Sequence, residues 1–231
     1  MSNLANEYNK YFDSHFKGLA FMPRRDDKIC KIEKLVGSNK QVLDVGCMTG
    51  YLAHFLQLNG NIVSGVDLLA SAINIANQNN INAQVCDIDN QPLPFGDSIF
   101  DVVVFSEVIE HLVDPIFVLN QIYRVLKPGG MLIVSTPNIA YVQYRIELLM
   151  GKLPDFCEFR NKYSERYYNF QHKTLFTHGA LMNTLKEAGF VITSWTSHSA
   201  YKNRVEKLFN FLERAFPCLF RKNMIAVAKK I

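Results

Sequence analysis

The stretch Gln41-Val42-Leu43-Asp44-Val45-Gly46-Cys47-Met48-Thr49-Gly50 decides how the chain is read. Its first five residues make an apolar run of strand length, and Gly46 to Gly50 form a tight turn into a helix over residues 51–58. Strand, glycine turn and helix in this order cradle a nucleotide. A dinucleotide fold would need G-x-G-x-x-G, so that a pyrophosphate can rest on the helix N-terminus; Met48 and Tyr51 stand where the second and third glycines would be. Asp44 lies at the mouth of the turn, where a carboxylate repels pyrophosphate and attracts a cation.

A nucleoside ligand with a cation and no phosphate is S-adenosylmethionine, which carries an ammonium and a sulfonium. The sequence on either side builds a crevice for it. Gly60 closes the first helix, and residues 62–66 form a second apolar strand ending in Asp67. An acidic residue about 20 positions after the first glycine is placed to accept hydrogen bonds from ribose hydroxyls. A third strand over residues 83–86 ends in Asp87-Ile88. The run Val-Val-Val-Phe within residues 100–106 reads as a central strand buried on both faces. Asp114-Pro115 starts a helix, with Asp as N-cap and Pro at the first position, and that helix runs to the stop at Pro128-Gly129-Gly130. Strands over 131–135, 190–195 and 223–228, and a helix over 177–188 closed by Gly189, complete the pattern. Alternating strands and helices with short connections predict an α/β fold, a doubly wound parallel sheet with helices on both faces.

The blocks Val42-Leu43-Asp44-Val45-Gly46-Cys47, Gly65-Val66-Asp67, Cys86-Asp87, Phe100-Asp101-Val102, Glu107-Val108-Ile109-Glu110-His111-Leu112, Arg124-Val125-Leu126-Lys127-Pro128-Gly129-Gly130 and Ser135-Thr136-Pro137-Asn138 resemble, in order and spacing, the class I S-adenosylmethionine-dependent methyltransferases. The resemblance covers roughly residues 40–190. It implies a seven-stranded, mostly parallel, Rossmann-like sheet whose last strand is inserted antiparallel. It also implies cofactor contacts from Asp44, Gly46, Cys47, Gly50, Asp67, Leu68, Asp87, Ile88 and Ser106, with Asp87 at the adenine amino group and Ile88 against the ring. Asp87 reads equally as a turn or helix cap. Met48 departs from the family, which usually has a smaller residue there. A positive φ at that position would cost Met about 1 kcal/mol or more.

The organisation expected is one methyltransferase domain over 1–231: an N-terminal helical lid (1–37), a cofactor-binding core (38–138), a substrate-side insertion (139–176) and a C-terminal segment (177–231). The chain has 231 residues, 48% of them hydrophobic, which suffices for a single core. Two helices precede the sheet, over 3–17 and 24–36, and by resemblance Tyr8, Tyr11, Phe12, Arg24 and Arg25 are candidate lid residues, packing being the alternative. No apolar run approaches the ~18 residues of a membrane span and residues 1–10 carry no apolar signal core, so a soluble, cytoplasmic protein is expected. Five scattered cysteines without a Cys-x-x-Cys pair argue against a disulfide framework and a zinc knuckle. The net charge of +4 is concentrated in residues 201–231, with eight Lys or Arg against two Glu. A helix over 204–216 with a solvated basic face accounts for it, and contact with a membrane surface or RNA is the sharper reading.

Methyl transfer needs the nucleophile held in line and its proton removed or suppressed, by a base or a metal. Glu107, Glu110 and His111 lie just past the central strand and offer both. They supply two carboxylates and an imidazole on one short turn, a ligand set for a hard cation such as Mg²⁺ or Mn²⁺ if a fourth group joins them. His172 is the candidate fourth. Its segment, His172-Lys173-Thr174-Leu175-Phe176-Thr177, resembles the stretch closing such a site in small-RNA 3′-terminal 2′-O-methyltransferases, and loosely the equivalent loop of ubiquinone-pathway O-methyltransferases. The alternative is metal-free, with His111 taking the proton. Residues 139–176 bring Arg145, Arg160, Arg166 and aromatics including Tyr141, Tyr144, Tyr163 and Phe170, which suit a planar or glycosyl acceptor or a stacked nucleotide base, or fill the core beneath an insertion. The expected function is O-methylation of a hydroxyl on a small-molecule substrate. The alternatives are RNA 2′-O-methylation, which the mildly acidic remainder of the chain disfavours, and a cofactor-binding but inactive interaction module.

Overall fold

The computed structural model describes residues 21, 25–152, 154, 172–197, 212 and 215–231. The chain runs through α1 (Asp27–Val36), β1 (Gln41–Val45), α2 (Tyr51–Leu58), β2 (Ile62–Asp67), α3 (Ala70–Gln78), β3 (Asn82–Val85), β4 (Phe100–Ser106), α4 (Pro115–Val125), β5 (Leu126–Pro137), α5 (Val142–Leu149), α6 (His178–Glu187), β6 (Phe190–Thr196), α7 (Pro217–Phe220) and β7 (Asn223–Lys230). One sheet forms in the order β3-β2-β1-β4-β5-β7-β6, parallel except for β7, which is antiparallel to both its neighbours. This is the doubly wound seven-stranded architecture expected.

Alternation along the central strands explains why both faces are covered. Val42, Val102 and Val104 enter one apolar cluster with Ile32 and Val36 of α1, Leu56 of α2 and Ile73 of α3. Leu43, Val45, Val103 and Phe105 point the other way, into a cluster with Leu119 and Ile122 of α4 and Leu181 and Leu185 of α6. After β1 the chain moves to β2 on one side, and after β4 to β5 on the other. The β1/β4 junction is therefore a switch point, with a crevice beyond the strands' carboxyl ends.

Local chemistry sets the helix ends. Asp114 Oδ1 accepts from Phe117 N at 3.0 Å with Pro115 at the first position, and Thr177 Oγ1 accepts from Ala180 N at 3.1 Å. Several boundaries differ from the sequence expectation. The helix expected from residue 24 begins at Asp27, because Asp26 caps it by accepting from Ile29 N at 2.8 Å. The helix expected to reach Pro128 stops at Val125, since Lys127 precedes a proline and is steered out of helical conformation. Leu126 then pairs with Phe100, opening β5 earlier than expected, and Lys230 Nζ donates to the carbonyls of Tyr123 and Leu126 at 2.7 and 2.8 Å. Two helices, α5 and α7, were not anticipated. Tyr8, Tyr11, Phe12, Arg24, Arg160, Arg166, the helix over 3–17 and most of the basic helix over 204–216 lie outside the described residues. No helix among the described residues is long and apolar enough to cross a membrane.

Candidate active site

The glycine turn works by close approach. Gly46 N and Cys47 N both donate to Val66 O, at 2.8 and 3.0 Å, which ties the turn to β2. Gly46 has φ +81°, and a Cβ there would stand 2.3 Å from Val108 Cγ2, so the turn nests against the segment that follows β4. Met48 has φ +50°, the left-handed conformation in which a side chain is strained. It is held there by Asp67, whose Oδ2 accepts from Met48 N at 2.9 Å while Oδ1 accepts from Leu69 N at 3.0 Å. The Leu68 amide also supports this carboxylate, which with about four acceptor sites keeps room for a further donor.

Asp44 is 3% exposed, and no described residue donates a hydrogen bond to its carboxylate. Burial, reinforced by the charge of Asp67 and partly offset by Lys28, pushes its pKa from 3.8 up to about 7. Burial likewise pushes up the Cys47 thiol, which is therefore an inert packing group. A buried carboxylate without a donor beside a glycine turn fits a cationic ligand, and the chemistry of S-adenosylmethionine matches it. On the next strand ends, Leu68, Asp87 and Ile88 are half-buried, and Asp87 Oδ2 accepts from Asn90 Nδ2 at 3.0 Å. Ser106 Oγ shares a hydrogen bond of 2.8 Å with Ser135 Oγ.

Past β4 the chain turns sharply through Glu107, at φ +56°. Ser135 Oγ donates to Glu107 Oε1 at 2.7 Å, and Glu107 N donates to Ser135 O at 2.9 Å. A single 3₁₀ turn, Ile109–His111, then directs Glu110 inward, where it is 2% exposed and accepts from Thr136 Oγ1 at 3.0 Å. The strap over residues 172–177 lies across this turn. Lys173 N and Thr174 N both donate to Glu110 O, at 2.8 and 3.0 Å, and Thr174 Oγ1 donates to Leu112 O at 3.0 Å. The rings of His111 and His172 meet edge to face with centroids 4.9 Å apart.

Of the four residues expected to gather, three do: Glu110, His111 and His172 each offer a ligand atom within 4.8 Å of the others. Glu107 stands outside that group, engaged by Ser135. Burial, with the charge of Glu107, raises the Glu110 pKa well above the usual carboxylate range. Burial, with the neighbouring His111, lowers that of His172 to about 4, so its imidazole is neutral at pH 7, the form that binds a metal. One carboxylate and two imidazoles fit a divalent cation, the imidazoles weighting the choice from Mg²⁺ towards Mn²⁺.

Ser135 and Thr136 carry no sign of their role in the linear Ser-Thr-Pro-Asn run. Adjacent on β5, they hold the two glutamates, a relation that needs the β4–β5 register to be seen. Arg25, a candidate lid residue, pairs with Glu33 at 3.0 Å and lies over the Phe55 ring. Tyr141 and Tyr144 are buried, their rings meeting edge to face with centroids 5.5 Å apart. Arg145 Nε donates to Ala140 O at 2.8 Å.

A family model described as a methyltransferase domain matches residues 21–194. The ubiquinone biosynthesis O-methyltransferase of Coxiella burnetii (strain RSA 493) is 34% identical over 142 residues, covering 55% of this chain and 60% of that protein. The protein of the same name from Chromobacterium violaceum is 35% identical over 133 residues, covering 54% of this chain and 56% of its own. The chain thus spans about 60% of the length of the curated relatives it matches. Among solved structures, a SAM-dependent methyltransferase from Methanosarcina mazei superposes with a TM-score of 0.64 at 21% identity, covering 87% of this chain and 97% of that one. One from Archaeoglobus fulgidus gives 0.61 at 19% identity, covering 96% and 100%. These structures share the fold.

Proposed function

The chain belongs to the methyltransferase-domain family, and from that premise we propose that it transfers a methyl group from S-adenosylmethionine to a hydroxyl oxygen of a small-molecule acceptor. The observation that carries the cofactor is Asp44, a buried carboxylate that no described residue satisfies, beside the glycine turn. In this reading Asp44 receives the ammonium and Asp67 the ribose hydroxyls. Asp87 and Ile88 border the adenine, and the backbone from Gly46 to Gly50, with Cys47, Leu68 and Ser106, walls the crevice. The cofactor supplies a methyl already activated on a sulfonium. The protein's remaining work is to orient the hydroxyl and manage its proton.

Glu110, His111 and His172 do that work. They would hold a divalent cation, Mn²⁺ or Mg²⁺, whose chemistry is to polarise and acidify an adjacent hydroxyl when bound. Thr136 and the backbone of the strap hold Glu110, and Ser135 fixes Glu107 behind it. Small-molecule O-methylation is supported by the likeness to the ubiquinone biosynthesis O-methyltransferases. Four free cysteines among the described residues suit the reducing cytoplasm.

The test is calorimetric titration of S-adenosylhomocysteine into the purified chain, with and without Mn²⁺, followed by S-adenosylhomocysteine release with hydroxylated acceptors. Cofactor binding, activity that chelator abolishes, and Mn²⁺ binding weakened at least tenfold in His172→Ala are expected. No binding of S-adenosylhomocysteine would overturn the methyltransferase reading. Chelator-resistant activity unchanged in His172→Ala would replace the metal with a His111 base.

A further inference from the structure

Asp89 lies in the loop after β3, next to Ile88 and two residues past Asp87, and its carboxylate reaches out of that loop in two directions. Oδ1 accepts from Val113 N at 3.0 Å, at the exit of the turn carrying Glu110 and His111. Oδ2 accepts from Lys173 Nζ at 3.2 Å, on the strap beside His172. The backbone N–H of Lys173 donates in turn to Glu110 O. One carboxylate therefore touches all three segments of the candidate site: the loop on the nucleotide side, the turn with its ligand atoms, and the strap with the third. The ion pair is partly shielded, the side chains of Lys173 and Asp89 being 22% and 13% exposed, against 30% and 75% for Arg124 and Asp97.

We propose that Asp89 and Lys173 are positioning residues forming a clasp through which occupation of the nucleotide crevice sets the placement of His172 against Glu110 and His111. The inference rests on the proposed function for the identity of the nucleoside ligand. Its physical content is a coupling between two sites. The loop over 87–90 is held by its own turn, Asn90 N and Gln91 N donating to Asp87 O at 3.0 and 2.8 Å, so a ligand contact at Asp87 or Ile88 bears on the adjoining Asp89. A shift of Asp89 is passed to the strap by Lys173 and to the turn by Val113. Binding that orders this loop therefore orders the cation-binding cluster, and by reciprocity a cation in the cluster favours the nucleoside.

The test uses the full chain, S-adenosylhomocysteine and Mn²⁺ as probes, and two readouts. In the wild type, saturating S-adenosylhomocysteine slows hydrogen exchange of the Lys173 and Thr174 amides and tightens Mn²⁺ binding, each by about fivefold or more, the lower end of typical coupling between sites. Asp89→Asn and Lys173→Met still bind S-adenosylhomocysteine, but both effects drop below about twofold, while Lys173→Arg keeps them. A purely structural staple would weaken both ligands and leave the coupling factor unchanged, which overturns the proposal. So does a wild type whose strap exchange ignores the nucleoside. Strap protection without any Mn²⁺ binding supports the clasp and removes the metal. Failure to bind S-adenosylhomocysteine, read directly by calorimetry, is a failure of the methyltransferase reading and takes the clasp with it.

Discussion

Asp44→Asn separates a cofactor-binding carboxylate from a packing one, through pH. Burial and the Asp67 charge raise the Asp44 pKa in the folded chain from 3.8 to about 7. The folded protein then retains a proton that the unfolded chain releases above about pH 4. The neutral group's contribution to stability is complete below that value and is lost as pH rises through about 7. The interval is worth roughly 4 kcal/mol at ~1.4 kcal/mol per unit. Binding runs in the opposite sense, because an ammonium requires the ionised carboxylate. Below pH 7 the proton must leave first, so affinity for S-adenosylhomocysteine falls about tenfold per pH unit lost, and close to one proton is released per ligand bound. Asp44→Asn removes that proton from the linkage. It also weakens binding at pH 7.5 by roughly 10- to 100-fold, the loss of one charge-assisted contact. Calorimetry between pH 5 and 7.5, in buffers of differing ionisation enthalpy, reads affinity and proton count together. A wild-type affinity flat across this range with no proton released, or an Asn variant keeping the wild-type slope, refutes the assignment of the ammonium to Asp44.

Thr136→Val leaves the buried carboxylate of Glu110 without its hydroxyl donor; a loss of about 1–3 kcal/mol in denaturant unfolding is expected, together with Mn²⁺ affinity that needs a higher pH to develop. Met48→Gly relieves the left-handed backbone at φ +50°, and thermal unfolding should show a gain of at most about 1 kcal/mol. Gly46→Ala drives a methyl to 2.3 Å from Val108, so S-adenosylhomocysteine binding should be lost in calorimetry while far-ultraviolet circular dichroism still reports a folded sheet.

Much of the fold could be read in the linear chain because its signals are local. The β1 and β4 runs, the cap Asp114 and the stop at Gly189 depend on residues within one turn or strand of each other, and they form where expected. The misplaced boundaries had a competing cause. Asp26 caps the first helix and so sets its start at Asp27, and the strand pairing of Leu126 with Phe100 claimed residues that periodicity had given to the helix.

The sequence by itself determined the sheet, the glycine turn and the acidic strand ends, because apolar periodicity and glycine punctuation act over a few residues. Tertiary structure decided how the groups meet, including the exclusion of Glu107 from the cluster that the resemblance had offered. His172 comes to His111 across 60 intervening positions, Thr136 reaches Glu110 only through the β4–β5 register, and Asp89 joins Val113 to Lys173. Each pairing follows from strand order and from the path of the strap, which are long-range properties of the packed chain and leave no periodicity in the sequence.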